Sequence, residues 1–220
     1  MSTEPTLQHL LTWFSPAFPI GGFSYSHGLE AAIENGLVRD WVSLEEWISD
    51  VLRYGAGWND VVLLSQAYRR TDSGEPLDDL VELAIALCPT AELQLETCAQ
   101  GRAFAETTNR VWSLSSRPAG PDIPYPIAVA QAAAYADMPL ALAVEAYLHA
   151  FAANLTSAAV RAIPLGQTDG LLALAAQEEL IKELAPSALR ADLEQIGGFV
   201  PMLEWCSMWH ETQYTRLFRS

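Results

Sequence analysis

The chain has 220 residues, 50% of them apolar and 18% charged, a balance that supports a folded core and excludes a disordered protein. A formal net charge of -15 excludes a nucleic-acid binder, because neutralising phosphates requires a basic stripe that the sequence lacks. A basic partner is the better electrostatic match.

Apolar residues recur at helical spacing and no alternating β-branched run occurs, so the expected fold class is all-α. One domain over residues 1–220 is expected, a helical bundle of roughly eight to ten helices. The N-terminus MSTEPTLQHLLTWF has no basic region ahead of its short apolar run, and Ala146–Val160 is too short to span a bilayer. The expected location is the cytoplasm, with no membrane partner. Cys88, Cys98 and Cys206 are an odd number without a C-x-x-C pair, which fits reduced thiols filling the core. A single lysine, Lys182, stands against eleven arginines. Codon bias accounts for this more simply than interface chemistry does.

Along the chain, Ser43 and Glu46 have capping-box spacing ahead of Trp47, Val51 and Leu52, which predicts a helix start there. Gly55 and Gly57 interrupt the pattern before it resumes over Trp58–Arg70. Thr71–Pro76 reads as a turn, Leu77–Leu87 as a short helix closed by Pro89, and Ala91–Trp112 as a long helix. In that long helix Leu95, Cys98, Ala99, Arg102 and Ala105 share one side. Four prolines make Ser113–Pro126 a loop. The pattern from Leu140 to Leu155 is apolar on nearly every side and predicts a central helix ended by Pro164. Thr168 or Asp169 can cap the next helix, which runs through Leu184, and Pro201 opens a final helix toward the C-terminus.

Several chemistries can be weighed. Gly21-Gly22 lacks the lysine of a phosphate cradle, and Gly22–Ser26 has serine where a nucleophile elbow needs its last glycine. The hydroxyls of this stretch are better read as caps for a helix beginning near Ser24. Asp78, Asp79 and Glu82 form D-D-x-x-E, the pattern of an all-α Mg²⁺-dependent enzyme that uses diphosphates. No second acidic cluster or basic phosphate site accompanies it, so helix-dipole complementarity is the simpler reading. Cys206 and His210, at i and i+4, are half of a metal site with no matching pair, and a packed thiol beside a capping histidine explains them better. His27 and Glu30 have similar spacing, while His9 and His149 read as surface and core residues respectively. The chain ends with Tyr214, Leu217 and Phe218 interleaved with Arg216 and Arg219, the residue types of binding hot spots.

Three segments carry a family resemblance: SPAFPIGGFSYSHGLE at Ser15–Glu30, PLGQTDG at Pro164–Gly170 and MWHETQYTRLFRS at Met208–Ser220. Together they resemble the urease accessory protein UreF family. The resemblance implies an all-α homodimer that is not an enzyme and has no cofactor. It would be a scaffold that binds UreD (also called UreH) and the GTPase UreG and serves nickel insertion into apo-urease. Nickel would pass through a tunnel in the complex rather than bind stably to this chain. Phe23, Ser24, Tyr25, Ser26, His27, Glu30 and Arg216 would form the dimer face that receives UreG, with Phe23 and Arg216 close together. His210, Tyr214, Leu217, Phe218 and Arg219 would engage UreD. Arg161, Gln167 and Asp169 fall on further family positions, while Leu171 stands where relatives often carry glutamine.

Overall fold

The computed structural model describes residues 4–114 and 122–220, so half of the loop expected over Ser113–Pro126 lies outside the described residues. Among the described residues the chain forms eleven α-helices, two 3-10 turns and no strand. The helices are α1 (Glu4–Trp13), α2 (Leu29–Glu34), α3 (Trp41–Tyr54), α4 (Ala56–Ser73), α5 (Asp78–Ala86) and α6 (Ala91–Trp112). They continue as α7 (Tyr125–Tyr135), α8 (Leu140–Ala162), α9 (Gln167–Ala175), α10 (Glu178–Ala188) and α11 (Pro201–His210). The fold is all-α, as the periodicity requires. None of the helices described is long and apolar enough to cross a membrane.

Helix α8 is the axis of the bundle and packs against α2, α3, α4, α7, α9 and α10. Its inward residues are those that the apolar spacing singles out: Val144, Tyr147, Leu148 and Leu155, with alanines between them. Small side chains on an apolar helix let neighbouring backbones approach from several directions, which is why this helix and not a more amphipathic one sits at the centre. The same logic applies to α7, an alanine-rich helix between α4 and α6. Nothing in the periodicity marks α7, because it is buried on most sides and shows no polar face. Its entry is set by Gly101 of α6, where a Cβ would lie 2.1 Å from the Ile123 carbonyl oxygen.

Local details depart from the sequence reading in several places. Asp40, not Ser43, caps α3: its Oδ1 accepts from the Ser43 N–H at 2.9 Å, and Ser43 Oγ accepts from the Asp40 N–H at 3.1 Å. Ser43 is therefore the third residue of a capping box rather than its first. Helix α4 runs on to Ser73, into the predicted turn, before Gly74 ends it. In α6 the inward face is Leu93, Glu96, Gln100, Phe104 and Thr108, whereas Leu95 is 56% exposed. Three polar members concealed that face from an apolar count. The helix expected through Leu184 breaks into α9 and α10 at Gln177, a fully buried residue. The Gln177 amide donates to the Glu45 and Ala173 carbonyls, which secures the break. Pro201 opens α11 as expected, but that helix stops at His210 and residues 211–220 are irregular. His149 is exposed rather than in the core, and His9 is half-buried, stacked on Trp13 with ring centroids 5.2 Å apart. Cys98 and Cys206 are buried free thiols and Cys88 is half-buried.

Candidate docking site

The C-terminal segment does not trail into solvent. It folds back across α6 and the N-terminal stretch, and three carboxylates of the bundle hold it. Glu30, in the first turn of α2, accepts from the backbone N–H groups of Leu217 at 2.7 Å and Phe218 at 2.9 Å. His210, fully buried at the end of α11, sits between Glu30 (Nε2 to Oε2, 3.2 Å) and Glu92 (Nδ1 to Oε2, 2.6 Å). Glu92 also takes the guanidinium of Arg216. Glu96, one turn along α6, accepts from the Ser220 hydroxyl and lies 3.6 Å from His27 Nδ1. Charge-assisted hydrogen bonds of this kind are roughly twice as strong as neutral ones, and here they add to the burial of Phe218 in the core to secure the terminal segment.

The stretch quoted from Ser15 to Glu30 forms the other side of this clasp. Backbone hydrogen bonds run from Arg219 N–H to the Ser24 carbonyl at 2.8 Å and from Ser26 N–H to the Ser220 carbonyl at 3.1 Å. The Ser26 hydroxyl donates to the same Ser220 oxygen and accepts from the Glu30 N–H at 3.2 Å, so it satisfies a free N–H in the first turn of α2, whose N-cap residue is Gly28. Ser24 lies instead in a 3-10 turn over Gly22–Ser24. Gly28 makes the approach possible: its φ of 78° is left-handed, and a Cβ there would meet the Ser207 backbone of α11 at 3.1 Å.

Arg161, in the last turn of α8, joins loop and tail. Its guanidinium carbon is 3.7 Å from the Phe23 ring centroid and 4.5 Å from that of Phe218, and its Nη1 donates to the Phe23 carbonyl at 2.7 Å. Burial lowers its pKa, yet an arginine this basic stays charged, and the stacked guanidinium is a cation–π bridge. Phe23 therefore meets Arg161, while Arg216 meets Glu92. Burial pulls the His27 pKa down, but its hydrogen bond to Glu96 and the charges of Glu96, Asp60 and Glu204 outweigh that, and the net shift is upward.

The structure thus brings Phe23, Ser24, Ser26, His27, Glu30, Arg161, His210, Arg216, Phe218 and Arg219 into one connected network, with the Tyr25 side chain buried beside them. Tyr214 belongs to the same segment but is fully exposed, and Leu217 is 70% exposed. Gln167 and Asp169 stand apart at the start of α9, where Asp169 Oδ2 accepts from the Gly166 N–H and caps that helix. Sequence reasoning missed Glu92 and Glu96. The signal was there: Glu92, Glu96 and Gln100 follow one another at intervals of four along a helix otherwise read for its apolar side. The Asp78–Asp79–Glu82 group is exposed at the start of α5, with Asp79 held by Arg70 at 2.5 Å. Among the described residues no three His, Cys, Asp or Glu side chains converge as metal ligands.

Comparison with known proteins agrees with the motifs. The UreF family model matches residues 38–178. Among curated proteins, a urease accessory protein UreF of Cereibacter sphaeroides strain KD131 is 49% identical, the match covering 97% of this chain and 98% of the relative. One of Rhodopseudomonas palustris strain HaA2 is 46% identical over 98% of this chain and 94% of the relative, and one of Bradyrhizobium diazoefficiens is 46% identical over 97% and 91%. The chain belongs to the UreF family of urease accessory proteins.

Proposed function

We propose that this chain is a non-enzymatic scaffold of urease maturation, acting as one cytoplasmic domain and as a homodimer. In this reading it bridges UreD and the GTPase UreG so that nickel, the cargo, reaches apo-urease through the assembled complex in a GTP-dependent step. The observation that carries the reading is the clasp itself. Glu30 fixes the backbone of Leu217 and Phe218, Ser24 and Ser26 fix that of Arg219 and Ser220, and the exposed side chains of Phe23, Tyr214 and Leu217 are left on a preorganised ridge beside Arg216 and Arg219. Ordering a segment before it binds removes an entropy cost from association, and exposed aromatics flanked by arginine suit a protein interface. The acidic body, at -15, favours encounter with basic patches.

Removing the tail would be a poor test, because it would also strip Glu30, Glu92 and Glu96 of their partners. Replacing only the exposed side chains Tyr214, Leu217 and Arg219 by alanine leaves the anchors in place. Size-exclusion chromatography with light scattering, on the chain alone and with UreD, UreG, GTP and nickel, should show normal assembly for the unmodified chain and loss of the UreD-containing species for the triple variant. Normal assembly by the variant would remove the docking role from the tail.

A further inference from the structure

Beneath the clasp lies a cavity of about 470 Å³, within the range that holds small organic ligands. Phe18, Tyr125, Tyr147 and Phe151 give it aromatic walls, and exposed Phe23, Phe199 and Met208 also line it, so it reaches the surface. Its polar side is acidic. Asp60, Glu96 and Glu204 line it, whereas no lysine or arginine does among the described residues. His27 answers Glu96 at 3.6 Å, but Asp60 has only the Tyr147 hydroxyl, at 2.6 Å. Glu204 Oε2 is buried with no hydrogen-bond partner, and neither Asp60 nor Glu204 has a cation within ion-pair distance among the described residues. Burial pushes Asp60 up to about 6 and Glu204 above its ordinary value, and the nearby His27 charge offsets this only in part.

We propose that this cavity is a binding site for an organic cation, a guanidinium or ammonium carried on an apolar or aromatic stem, with Asp60 and Glu204 as its counter-charges. A bare metal ion fits less well. The walls are hydrocarbon and aromatic, no three ligating side chains converge, and burial pushes the nearby Cys88 thiol up to about 12, away from its ligating form. Aromatic rings over carboxylates instead match a cation that is planar or alkyl-stemmed. The same chemistry could arrive as a free amine or as an arginine or lysine side chain of a partner protein.

Fluorine NMR titration of the intact chain with para-trifluoromethyl benzamidine, and in parallel with the neutral para-trifluoromethyl benzamide, tests the proposal. The amidinium should bind about tenfold or more tightly than the amide, and Asp60→Asn or Glu204→Gln should each weaken it about fivefold, since a charge-assisted bond is lost. Equal affinity of the two probes, or no binding of the amidinium, overturns it. Because the two probes are compared on the unmodified chain, the test holds even if a variant fails to fold and whether or not the partner reading above is correct. Adding UreD and UreG then distinguishes the sources. Displacement of bound amidinium identifies a partner side chain, and its retention identifies a free amine.

Discussion

Helix α8 and the C-terminal segment are both buried in part, but by opposite means. The helix is held by apolar side chains from six neighbouring helices, so no single contact decides its position. The tail is held by Glu30, Glu92, Glu96 and Arg161, each making several directional contacts. Apolar packing tolerates conservative change, whereas a polar clasp fails when one partner is removed, since the donors left behind stay buried without acceptors. This family member is therefore robust in its bundle and fragile at the surface proposed to meet partners.

The largest expected effect follows from Glu30, which serves two backbone donors and a buried histidine. Glu30→Ala should cost about 3 kcal/mol in urea unfolding, because several buried groups lose their acceptor at once. Leu148→Met, a volume-conserving change at the bundle axis, should cost less than about 1.5 kcal/mol. If the two variants unfold alike, the contrast between clasp and core is wrong.

Asp60 gives a pH-dependent prediction of intermediate size. Its pKa is about 6 in the folded chain against an ordinary value of 3.8, so the folded state keeps the proton longer than the unfolded one. Stability therefore falls as pH rises from about 4 to about 6, and the penalty is complete above that. Asp60→Asn removes the charge and keeps an acceptor for Tyr147, so it should gain on the order of 2 to 3 kcal/mol at pH 8 and little at pH 4. Thermal melts at the two pH values check this. His27 runs the same way, at higher pH. Its raised pKa gives stability that is fully present below about 6.5 and is lost as pH rises through the folded value, and His27→Gln should abolish that dependence.

Arg161→Lys comes next, at about 1 kcal/mol, because an ammonium cannot stack between Phe23 and Phe218 while bonding the Phe23 carbonyl. The smallest effect is expected at the α5 cluster. Replacing Asp78, Asp79 and Glu82 together by their amides should leave urease activation and melting temperature unchanged, since Asp79 makes only an exposed pair with Arg70.

Much of the architecture was legible because helix periodicity and breakers are local. The limits Ala91–Trp112 of α6, the proline start of α11 and the apolar run of α8 all follow from short-range pattern. Helix α7 was not legible, because a helix buried on most sides carries no amphipathic signal. The clasp was legible only in part. Phe23, Glu30, Arg161 and the tail could be named one by one from motifs, but Glu92 and Glu96 are polar residues on an inward face, and their meaning depends on a tail more than a hundred positions away.

Hydrogen exchange on the isolated chain, read at the amides of Leu217 and Phe218, tests the clasp most directly. Both amides should exchange slowly in the unmodified chain and at free-peptide rates in Glu30→Ala, with α8 still protected in both. Free-peptide rates at Leu217 and Phe218 in the unmodified chain would contradict it.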